Sequence, residues 1–378
     1  MNVIGIVVEY NPFHNGHIYQ IKKIKEMYPD SIIAVVMSTS FTMRGEISLL
    51  DKWQKTEIAL KHGIDIVIEL PFVYSVQSAD NFAKGALRLL NEIGIDTLVF
   101  GTETDDIKYL AEIANVQINN IEFESLVKNY MKDKYNYPTS LSKAIKDLTN
   151  KEVKNPNDIL AVCYLKEIIK NNYNINPISI KRTNDFNDII SDSEIVSASN
   201  VRNKYLNNID FKNTVPSLTY DYLMQNNFDF DIYFKIIKYK IITSKNDLNN
   251  YLLMDNSLVS RIYVSAIKSE NIEDLISKIK TKKYTYNRIN RILLNIFLDV
   301  KKDITYEGIN YIRLLGLSKK GQEYIKKQKK KTNMDIITKF SKKYKFLELE
   351  YKITSLYSIV NKNKNLEINE FKKHTILH

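Results

Sequence analysis

The chain has 378 residues, of which 44% are hydrophobic and 26% are charged, and it carries a formal net charge of +11 at pH 7. This length favours two domains, and the composition is that of a globular protein rather than a disordered or fibrous one. No run of about 18 apolar residues occurs, so we expect no membrane span, signal peptide or anchor. Cys163 is the only cysteine, which excludes an internal disulfide and a multi-cysteine metal site and predicts a cytoplasmic protein.

The first hundred residues alternate short β-branched runs with longer helical stretches. We predict strands at residues 3–8, 31–37, 65–70 and 96–100. Each strand is an apolar run rather than an alternation of apolar and polar residues, which is typical of a parallel sheet covered by helices on both faces. The sequence therefore predicts an α/β fold built on a doubly wound, Rossmann-like parallel sheet.

The character of the chain changes after this region. Seven of the ten glycines lie at or before Gly101, and no proline follows Pro216. Residues 105–171 have a helical pattern, residues 177–180 resemble one more strand of the sheet, and residues 199–206 a helix. The rest is rich in Leu, Ile, Tyr and Lys. We therefore predict two domains, an α/β domain at residues 1–215 and a mostly α-helical, basic domain at residues 216–378.

The positive charge is concentrated in residues 278–345, which contain 20 Lys and Arg against 5 Asp and Glu. Such a local excess is typical of a surface that binds a polyanion, although a charge run can also be a solvated helix face. Interleaved tyrosines could stack on unpaired bases; they are Tyr284, Tyr286, Tyr311, Tyr324 and Tyr344. The residues that we predict to bind nucleic acid are Arg288, Arg291, Arg313, Lys326, Lys327 and Lys330.

The segment 5–17 contains two of the five histidines, in the order His14-Asn15-Gly16-His17. A strand ends here in a turn with a proline, and a helix begins at about His17. The amino end of a helix at the carboxyl edge of a sheet is suited to phosphate groups. His14 and His17 could donate hydrogen bonds to a reacting phosphate, and Gly16 leaves room for it. The alternatives are two turn histidines or a metal pair, but no further Cys or His stands nearby.

Neither a Walker A loop nor a GxGxxG motif is present, which argues against kinase-type and dinucleotide-binding proteins. The segment His14-Asn15-Gly16-His17 resembles the HxGH signature of the nucleotidyltransferase superfamily. More of the chain resembles one family of that superfamily, the tRNA(Met) cytidine acetate ligases. The blocks that carry this resemblance are 9–17, 44–46, 51–53, 68–72, 75–79, 100–103, 156–160, 180–182, 197–202 and 288–294.

The resemblance implies that the protein uses ATP to convert acetate to acetyladenylate, with pyrophosphate as the leaving group. The acetyl group would then pass to N4 of the wobble cytidine of elongator tRNA(Met). Magnesium is expected on the phosphates, although no carboxylate cluster in the sequence marks its site, and we assign no metal ligand. The alternatives are an adenylyltransferase that acts on another small molecule and a non-catalytic protein that binds ATP and RNA.

The resemblance also implies site residues. His14 and His17 would be catalytic, and Ser197 and Arg202 would belong to a second phosphate-binding motif. Without the resemblance, Gly101 could simply end a strand, Asn157 could cap a helix and Arg182 could be a solvated charge. The departures from the family pattern at Thr39, Ser40 and Met43 concern the substrate rather than ATP. The predicted ATP site comprises Val7, Val8, Glu9, Tyr10, Asn11, Pro12, Phe13, His14, Asn15, Gly16, His17, Gln20, Gly101, Asn157, Arg182, Ser197 and Arg202.

Overall fold

A computed structural model describes residues 2–182, 193–304 and 308–378. Its strands form one sheet in the order β5-β4-β1-β2-β3-β6-β7, with β8 also paired to β6. The strands are β1 Val3–Val8, β2 Ile32–Met37, β3 Ile66–Glu69, β4 Thr97–Thr102, β5 Asn176–Lys181, β6 Tyr311–Leu317, β7 Asp335–Ile337 and β8 Ile376–Leu377.

The helices of the described residues fall into two groups along the chain. Those before residue 207 are α1 Asn15–Met27, α2 Lys52–Lys61, α3 Phe72–Ser75, α4 Ala79–Glu92, α5 Ile107–Asn119, α6 Phe123–Lys132, α7 Tyr137–Thr149, α8 Pro156–Asn171 and α9 Ala198–Leu206. Those after it are α10 Ser217–Gln225, α11 Phe230–Thr243, α12 Asn256–Lys268, α13 Ile272–Ile279, α14 Tyr286–Phe297, α15 Lys319–Gln328, α16 Lys345–Asn361 and α17 Asn365–Lys372. No helix of the described residues is long and apolar enough to cross a membrane.

The first five strands are all parallel, and β1 lies at their centre between β4 and β2. Successive strand residues face opposite sides of a sheet. Ile4 and Ile33 accordingly belong to one buried cluster, and Val3 and Ile32 to another. Because both faces are covered, the central strands β1 and β2 are apolar throughout, and the predicted doubly wound parallel sheet is confirmed.

The helices α10–α14 fill most of residues 217–297, as expected. Their apolar side chains share one continuous core with the sheet face that contains Ile4. The chain then returns to the sheet, because β6 pairs antiparallel with β3. The sequence did not predict this strand. A mostly helical domain at residues 216–378 does not account for β6, β7 and β8, which belong to the sheet. The division at residue 215 otherwise stays a prediction.

A buried ionic cluster explains how β6 joins the sheet. Arg313, only 1% exposed, donates through Nη1 to Glu69 Oε2 at 3.0 Å and also contacts Glu370. Lys52 Nζ lies 2.5 Å from Glu69 Oε1 and 2.8 Å from Glu370 Oε2. The prediction that Arg313 binds tRNA is therefore wrong, because its guanidinium is enclosed and neutralised by carboxylates.

Candidate active site

A cleft of about 280 Å³ opens at the carboxyl edge of the parallel strands. The ends of β1, β4 and β5 form its floor, and the beginnings of α1, α8 and α9 surround it. Ligands of open α/β sheets bind at this edge. The predicted ATP-site residues that line the cleft are Val7, Val8, Glu9, Tyr10, Asn11, His14, Gly16, His17, Gln20, Gly101, Asn157, Arg182, Ser197 and Arg202.

The turn between β1 and α1 is fixed by hydrogen bonds to a neighbouring loop. Tyr10 has a positive φ of 45°, and the Asn11–Pro12 peptide bond is cis. The side chain of Asn11 accepts from Leu49 N at 2.9 Å and donates to the carbonyl of Ile47 at 3.3 Å. The loop that follows β2 therefore supports the turn that carries the two histidines.

The two histidines cap the helix that they begin. Nδ1 of His14 accepts from Gly16 N at 3.0 Å, and Nδ1 of His17 accepts from His14 N at 3.1 Å. A ring nitrogen that accepts a hydrogen bond is unprotonated, so each neutral imidazole carries its proton on Nε2. The ring centroids of the two histidines lie 3.9 Å apart. Each ring can thus offer one N–H donor to a ligand in the cleft.

The electrostatics of the cleft keep both histidines neutral. Burial, with a smaller contribution from Arg182 and Arg202, lowers the pKa of His14 to about 3. Burial also lowers the pKa of His17 well below its usual value, and His14 and Arg182 add to the effect. Desolvation disfavours the charged imidazolium, and nearby positive charges disfavour it further. The pair therefore supplies uncharged hydrogen-bond donors at neutral pH.

Gly16 is required by the packing of this turn. A Cβ atom at this position would lie 2.7 Å from Cε1 of His14, so any side chain would displace the imidazole. Pro12, Phe13 and Asn15 were also predicted to contact ATP, but they lie outside the lining of the cleft. Phe13 is fully buried in the core, and Asn15 Nδ2 donates to the carbonyls of Glu194 and Asn213 at 2.9 and 2.8 Å.

Two arginines face the histidines from other elements. Arg182 follows β5, and its Nε is buried without a hydrogen-bond partner among the described residues. Arg202, on α9, donates to the carbonyl of Asn11 at 2.8 Å and lies 3.1 Å from Glu46 Oε2. An unpartnered buried N–H is costly unless a ligand satisfies it. Arg182 is therefore the better placed of the two to receive a phosphate.

The end of β4 is held by the beginning of α8. Asp158 is 2% exposed, and its Oδ1 accepts from the backbone N–H groups of Glu103 and Thr104 at 2.9 and 3.2 Å. Asn157 Nδ2 donates to Glu103 Oε1 at 2.6 Å. Gly101 lies just before this junction, and a Cβ there would be 3.3 Å from Cγ of Arg182. These contacts place Asn157 and Gly101 in the wall of the cleft.

The second predicted phosphate motif forms the N-terminus of α9. The Ser197 side chain accepts from Asn200 N at 3.1 Å, so Ser197 is the N-cap residue of this helix. Ser197 and Ser199 both line the cleft. The N-cap alternative is therefore correct for Ser197, and the position of the helix also brings it to the site.

The loop of residues 42–46, named here the roof loop, covers one side of the cleft. The sequence predicted no ATP contact in this loop and linked only Met43 to the substrate. Met43 N donates to Glu9 Oε1 at 2.6 Å, and burial raises the pKa of that carboxyl group. Gly45 has a φ of 79°, and a Cβ there would lie 2.8 Å from Arg291 N. The roof loop therefore packs directly on α14. The cleft residues that were not predicted to contact ATP include Tyr19, Thr42, Met43, Arg44, Glu46, Phe82, Phe100, Leu160 and Tyr164.

Arg291 was predicted to be an exposed contact for tRNA, but its side chain binds backbone carbonyls within the protein. Its Nη1 donates to the carbonyls of Met43 and Gln77 at 3.1 and 3.0 Å, and its Nε is buried. Burial lowers its pKa to about 10. The predicted contact of Arg291 with tRNA is therefore corrected, because this guanidinium holds the roof loop against α14.

The other predicted nucleic-acid residues lie on two separate surfaces. Arg288 is at the beginning of α14, near the cleft. Lys326, Lys327 and Lys330 are exposed but belong to α15 and the turn after it. Of the tyrosines proposed to stack on bases, Tyr284, Tyr311 and Tyr344 are buried and Tyr324 donates to the carbonyl of Ile93, whereas Tyr286 is 57% exposed.

A parallel sheet, a His-Asn-Gly-His turn at the start of a helix and an arginine-lined cleft together define a nucleotidyltransferase of the HIGH class. The family model described as HIGH Nucleotidyl Transferase matches residues 1–372, which is nearly the whole chain. The class follows from both the motif and the architecture around it.

Comparison with individual proteins identifies the family within this class. The tRNA(Met) cytidine acetate ligase of Caldicellulosiruptor saccharolyticus is 35% identical over 100% of this chain and 98% of its own length. That of Clostridium novyi is 38% identical over 100% and 99%. The crystal structure of Thermotoga maritima TmcAL bound with alpha-thio ATP superposes with a TM-score of 0.89 at 28% identity, covering 100% of this chain and 99% of that one. The chain belongs to the tRNA(Met) cytidine acetate ligase family.

Proposed function

We propose that this protein uses ATP to activate acetate as acetyladenylate and then acetylates N4 of the wobble cytidine of elongator tRNA(Met). The observation that carries this proposal is the arrangement of His14 and His17, two neutral donors that share a cleft with Arg182. Such groups suit the stabilisation of negative charge on a phosphate. The names of its relatives support the same activity, and the ATP analogue bound to the Thermotoga maritima protein supports a nucleotide in this cleft.

In the first step, an acetate oxygen attacks the α-phosphorus of ATP, and the bond from this phosphorus to the bridging oxygen of pyrophosphate breaks. No covalent intermediate with the protein is needed. The Nε2–H groups of His14 and His17 would donate to phosphate oxygens that gain charge, and Arg182 would bind the phosphate chain. Most of the rate enhancement would come from orientation and charge stabilisation.

In the second step, N4 of the cytidine attacks the acyl carbon of acetyladenylate, AMP leaves, and N4 loses a proton. The wobble base of an anticodon loop is unpaired and can be turned out of the loop at modest cost. It must then reach the acyl group inside the cleft. The protein therefore needs a surface beside the cleft that holds the loop.

Magnesium would enter as a complex with the phosphates of ATP. Mg²⁺ commonly binds through substrate phosphates, a few carboxylates and water rather than in an all-protein cage. No group of three or more His, Cys, Asp or Glu side chains suited to a metal occurs among the described residues. We therefore treat MgATP as the substrate.

For tRNA we retain Arg288 and the lysines of α15 as candidate contacts. Lys326, Lys327 and Lys330 are exposed, as a phosphate-binding group must be. Electrostatic attraction to a polyanion needs accessible cations rather than buried ion pairs. Arg288 differs from these lysines because it lies close to the roof loop of the cleft.

The first step can be tested by exchange of labelled pyrophosphate into ATP. We expect exchange that requires acetate and does not require tRNA, because the activating groups are all in the cleft. An adenylyltransferase for another small molecule would exchange only with that molecule, and a non-catalytic ATP-binding protein would show no exchange. Either result would contradict the proposal.

A further inference from the structure

Residues 280–288 comprise the connection between α13 and α14 together with the first turn of α14. This segment, named here the linker, forms a basic and aromatic surface. Its nine residues contain four cationic side chains, Lys280, Lys282, Lys283 and Arg288, and no acidic one. Within the described parts of the chain one carboxylate pairs with these cations, Asp255, which lies 3.6 Å from Lys283 and 3.9 Å from Arg288. The surface therefore keeps an excess of positive charge that is complementary to phosphates.

Tyr286 provides an exposed ring within this surface. It is 57% exposed, and Lys280 Nζ lies 5.3 Å from the centroid of its ring. An accessible aromatic ring flanked by cations is the arrangement that binds single-stranded nucleic acid, because a base stacks on the ring while its phosphates meet the cations. A double helix would not offer its bases for such stacking.

The linker is held in place by its second tyrosine. Tyr284 is 3% exposed, and its hydroxyl group lies 2.7 Å from Ser257 Oγ on α12. The side chains of Lys283 and Arg288 both lie 5.0 Å from the centroid of the Tyr284 ring. This anchored ring orients the two cations, so less entropy is lost when the surface binds a ligand.

The linker adjoins the cleft through α14. Arg291 is five residues beyond Tyr286 on the same helix, which is about 8 Å along its axis. The backbone of Arg291 touches Gly45, and its side chain binds the carbonyl of Met43. Both of these partners belong to the roof loop. An RNA loop on residues 280–288 would therefore be within a few nucleotides of the cleft.

The lysine-rich helix α15 lies at the opposite edge of the sheet. Ser318, its N-cap, donates to Asp65 just before β3, and Lys320 donates to the carbonyls of Asp30 and Ser31 just before β2. These are the amino ends of the strands, and a six-residue strand is about 20 Å long. The lysines that follow on α15 are thus separated from the cleft by the thickness of the sheet domain.

We propose that residues 280–288 are the binding surface for the unpaired nucleotides of the anticodon loop, with Tyr286 as the ring on which a base stacks. This inference rests on the proposed function, since it takes the RNA that would be modified in the cleft as the partner. It assigns the loop to the surface beside the roof loop and not to the lysines of α15.

The surface can be tested by direct binding of an RNA hairpin that contains only the anticodon stem and loop. We expect Tyr286→Ala to weaken hairpin binding by about fivefold or more, which is the usual effect of losing one stacked base. Tyr239→Ala is the matched control, because Tyr239 is 66% exposed on α11. The control is expected to bind the hairpin like the wild type.

Charge reversal tests the cationic part of the same surface. The double variant Lys282→Glu/Lys283→Glu is expected to weaken hairpin binding and to reduce the slope of log Kd against log salt by about one to two units. Lys128→Glu/Lys132→Glu on α6 is the matched control, since that helix contributes no residue to the cleft. Acetate-dependent pyrophosphate exchange reports whether the cleft is intact in each variant.

The rival surface is tested with Lys326→Glu/Lys327→Glu. Loss of hairpin binding in this variant, with retention in the Tyr286 and Lys282/Lys283 variants, would overturn the inference. These measurements need no acetyl transfer, so they are independent of the proposed reaction. Hairpin binding that depends on Tyr286 in a protein that acetylates no tRNA would support the surface and refute the proposed function.

Discussion

His14 and His17 can act only as hydrogen-bond donors through Nε2, because each Nδ1 already accepts a backbone N–H. A charged imidazolium would bind triphosphate more strongly in the ground state as well as in the transition state. Catalysis requires interactions that strengthen as the reaction proceeds. Neutral donors in a buried cleft meet this requirement, since their hydrogen bonds gain most when the phosphate oxygens gain charge.

Removal of either donor is predicted to impair activation of acetate. We expect His17→Ala, and somewhat less severely His14→Ala, to lower acetate-dependent pyrophosphate exchange by about 10²-fold or more. Both side chains also cap α1, so thermal unfolding should be measured beside the rate. His374→Ala, at an exposed C-terminal position, is the control. Exchange at the wild-type rate in His17→Ala would show that this histidine is not catalytic.

The neutral state of His14 predicts how stability depends on pH. The unfolded histidine takes up a proton near pH 6.5, whereas the folded one does so only near pH 3. The free energy of unfolding therefore falls as the pH falls through 6.5, and His14 contributes a loss of about 2 kcal/mol between pH 7 and pH 5. His14→Asn keeps an N-cap acceptor but does not titrate, so its urea unfolding should lose less over this range. An equal loss in both proteins would contradict the buried, neutral state.

At the scale of elements, the cleft depends on α14 as well as on the sheet. On one side of the roof loop, Met43 N donates to Glu9 in the cleft. On its other side, the carbonyl of Met43 accepts from Arg291 on α14. Gly45 permits this contact, because it has a positive φ and because a Cβ atom at this position would lie only 2.8 Å from Arg291 N on α14. The helical segment thereby shapes a site whose catalytic groups lie in the turn between β1 and α1 and just after β5.

Loss of the Arg291 side chain is predicted to loosen the roof loop. Arg291→Met keeps the apolar stem but removes two hydrogen bonds to the carbonyls of Met43 and Gln77. We expect the KM for acetate or ATP in the exchange reaction to rise by about 30-fold, since two hydrogen bonds are lost and each costs about 1 kcal/mol. Arg261→Met, on the exposed face of α12, serves as the control. An unchanged KM in Arg291→Met would mean that the roof loop does not contact the substrates.

The strands near the cleft could be predicted from the sequence because their signals are local. The predicted bounds 3–8 and 31–37 differ from β1 and β2 by at most one residue at either end. By contrast, β6 was missed because Arg313 interrupts its apolar run and suggests an exposed position. The carboxylates that neutralise it are Glu69 and Glu370, far away in the chain. Only the folded structure brings these charges together.

The candidate site also contains some features that the sequence predicts and others that depend on contacts between distant parts of the chain. The HxGH turn and its helix could be predicted, because a strand, a proline and a capping pattern follow one another within 13 residues. The role of Arg291 could not, since its partners Met43 and Gln77 are more than 200 residues away. A charged side chain in a basic segment suggests a solvent-exposed position unless its long-range contacts are known.

At the scale of the whole molecule, the ionic cluster of Lys52, Glu69, Arg313 and Glu370 joins β6 and α17 to α2 and β3. All four side chains are at most 2% exposed. Breaking one partner of a buried network leaves the others uncompensated, which costs about 3–5 kcal/mol. The cluster therefore secures the return of the chain to the sheet.

Substitution of Arg313 is predicted to affect stability rather than RNA binding. We expect Arg313→Met to lower the free energy of unfolding by about 3–5 kcal/mol in chemical denaturation. Arg288→Met should change it by no more than about 0.5 kcal/mol, because the Arg288 side chain is 43% exposed and its ion pair with Asp255 is long, at 3.9 Å. A fully stable Arg313→Met protein with weakened tRNA binding would restore the role that the sequence analysis gave to this residue.

In the proposed function, one protein couples acetate activation to modification of a tRNA base. The most direct test is mass spectrometry of the nucleosides of elongator tRNA(Met) after incubation with the protein, MgATP and isotopically labelled acetate. We predict labelled N4-acetylcytidine at the wobble position, formed only when ATP is present and absent with His17→Ala. Unmodified cytidine in the presence of active acetate-dependent pyrophosphate exchange would contradict the account.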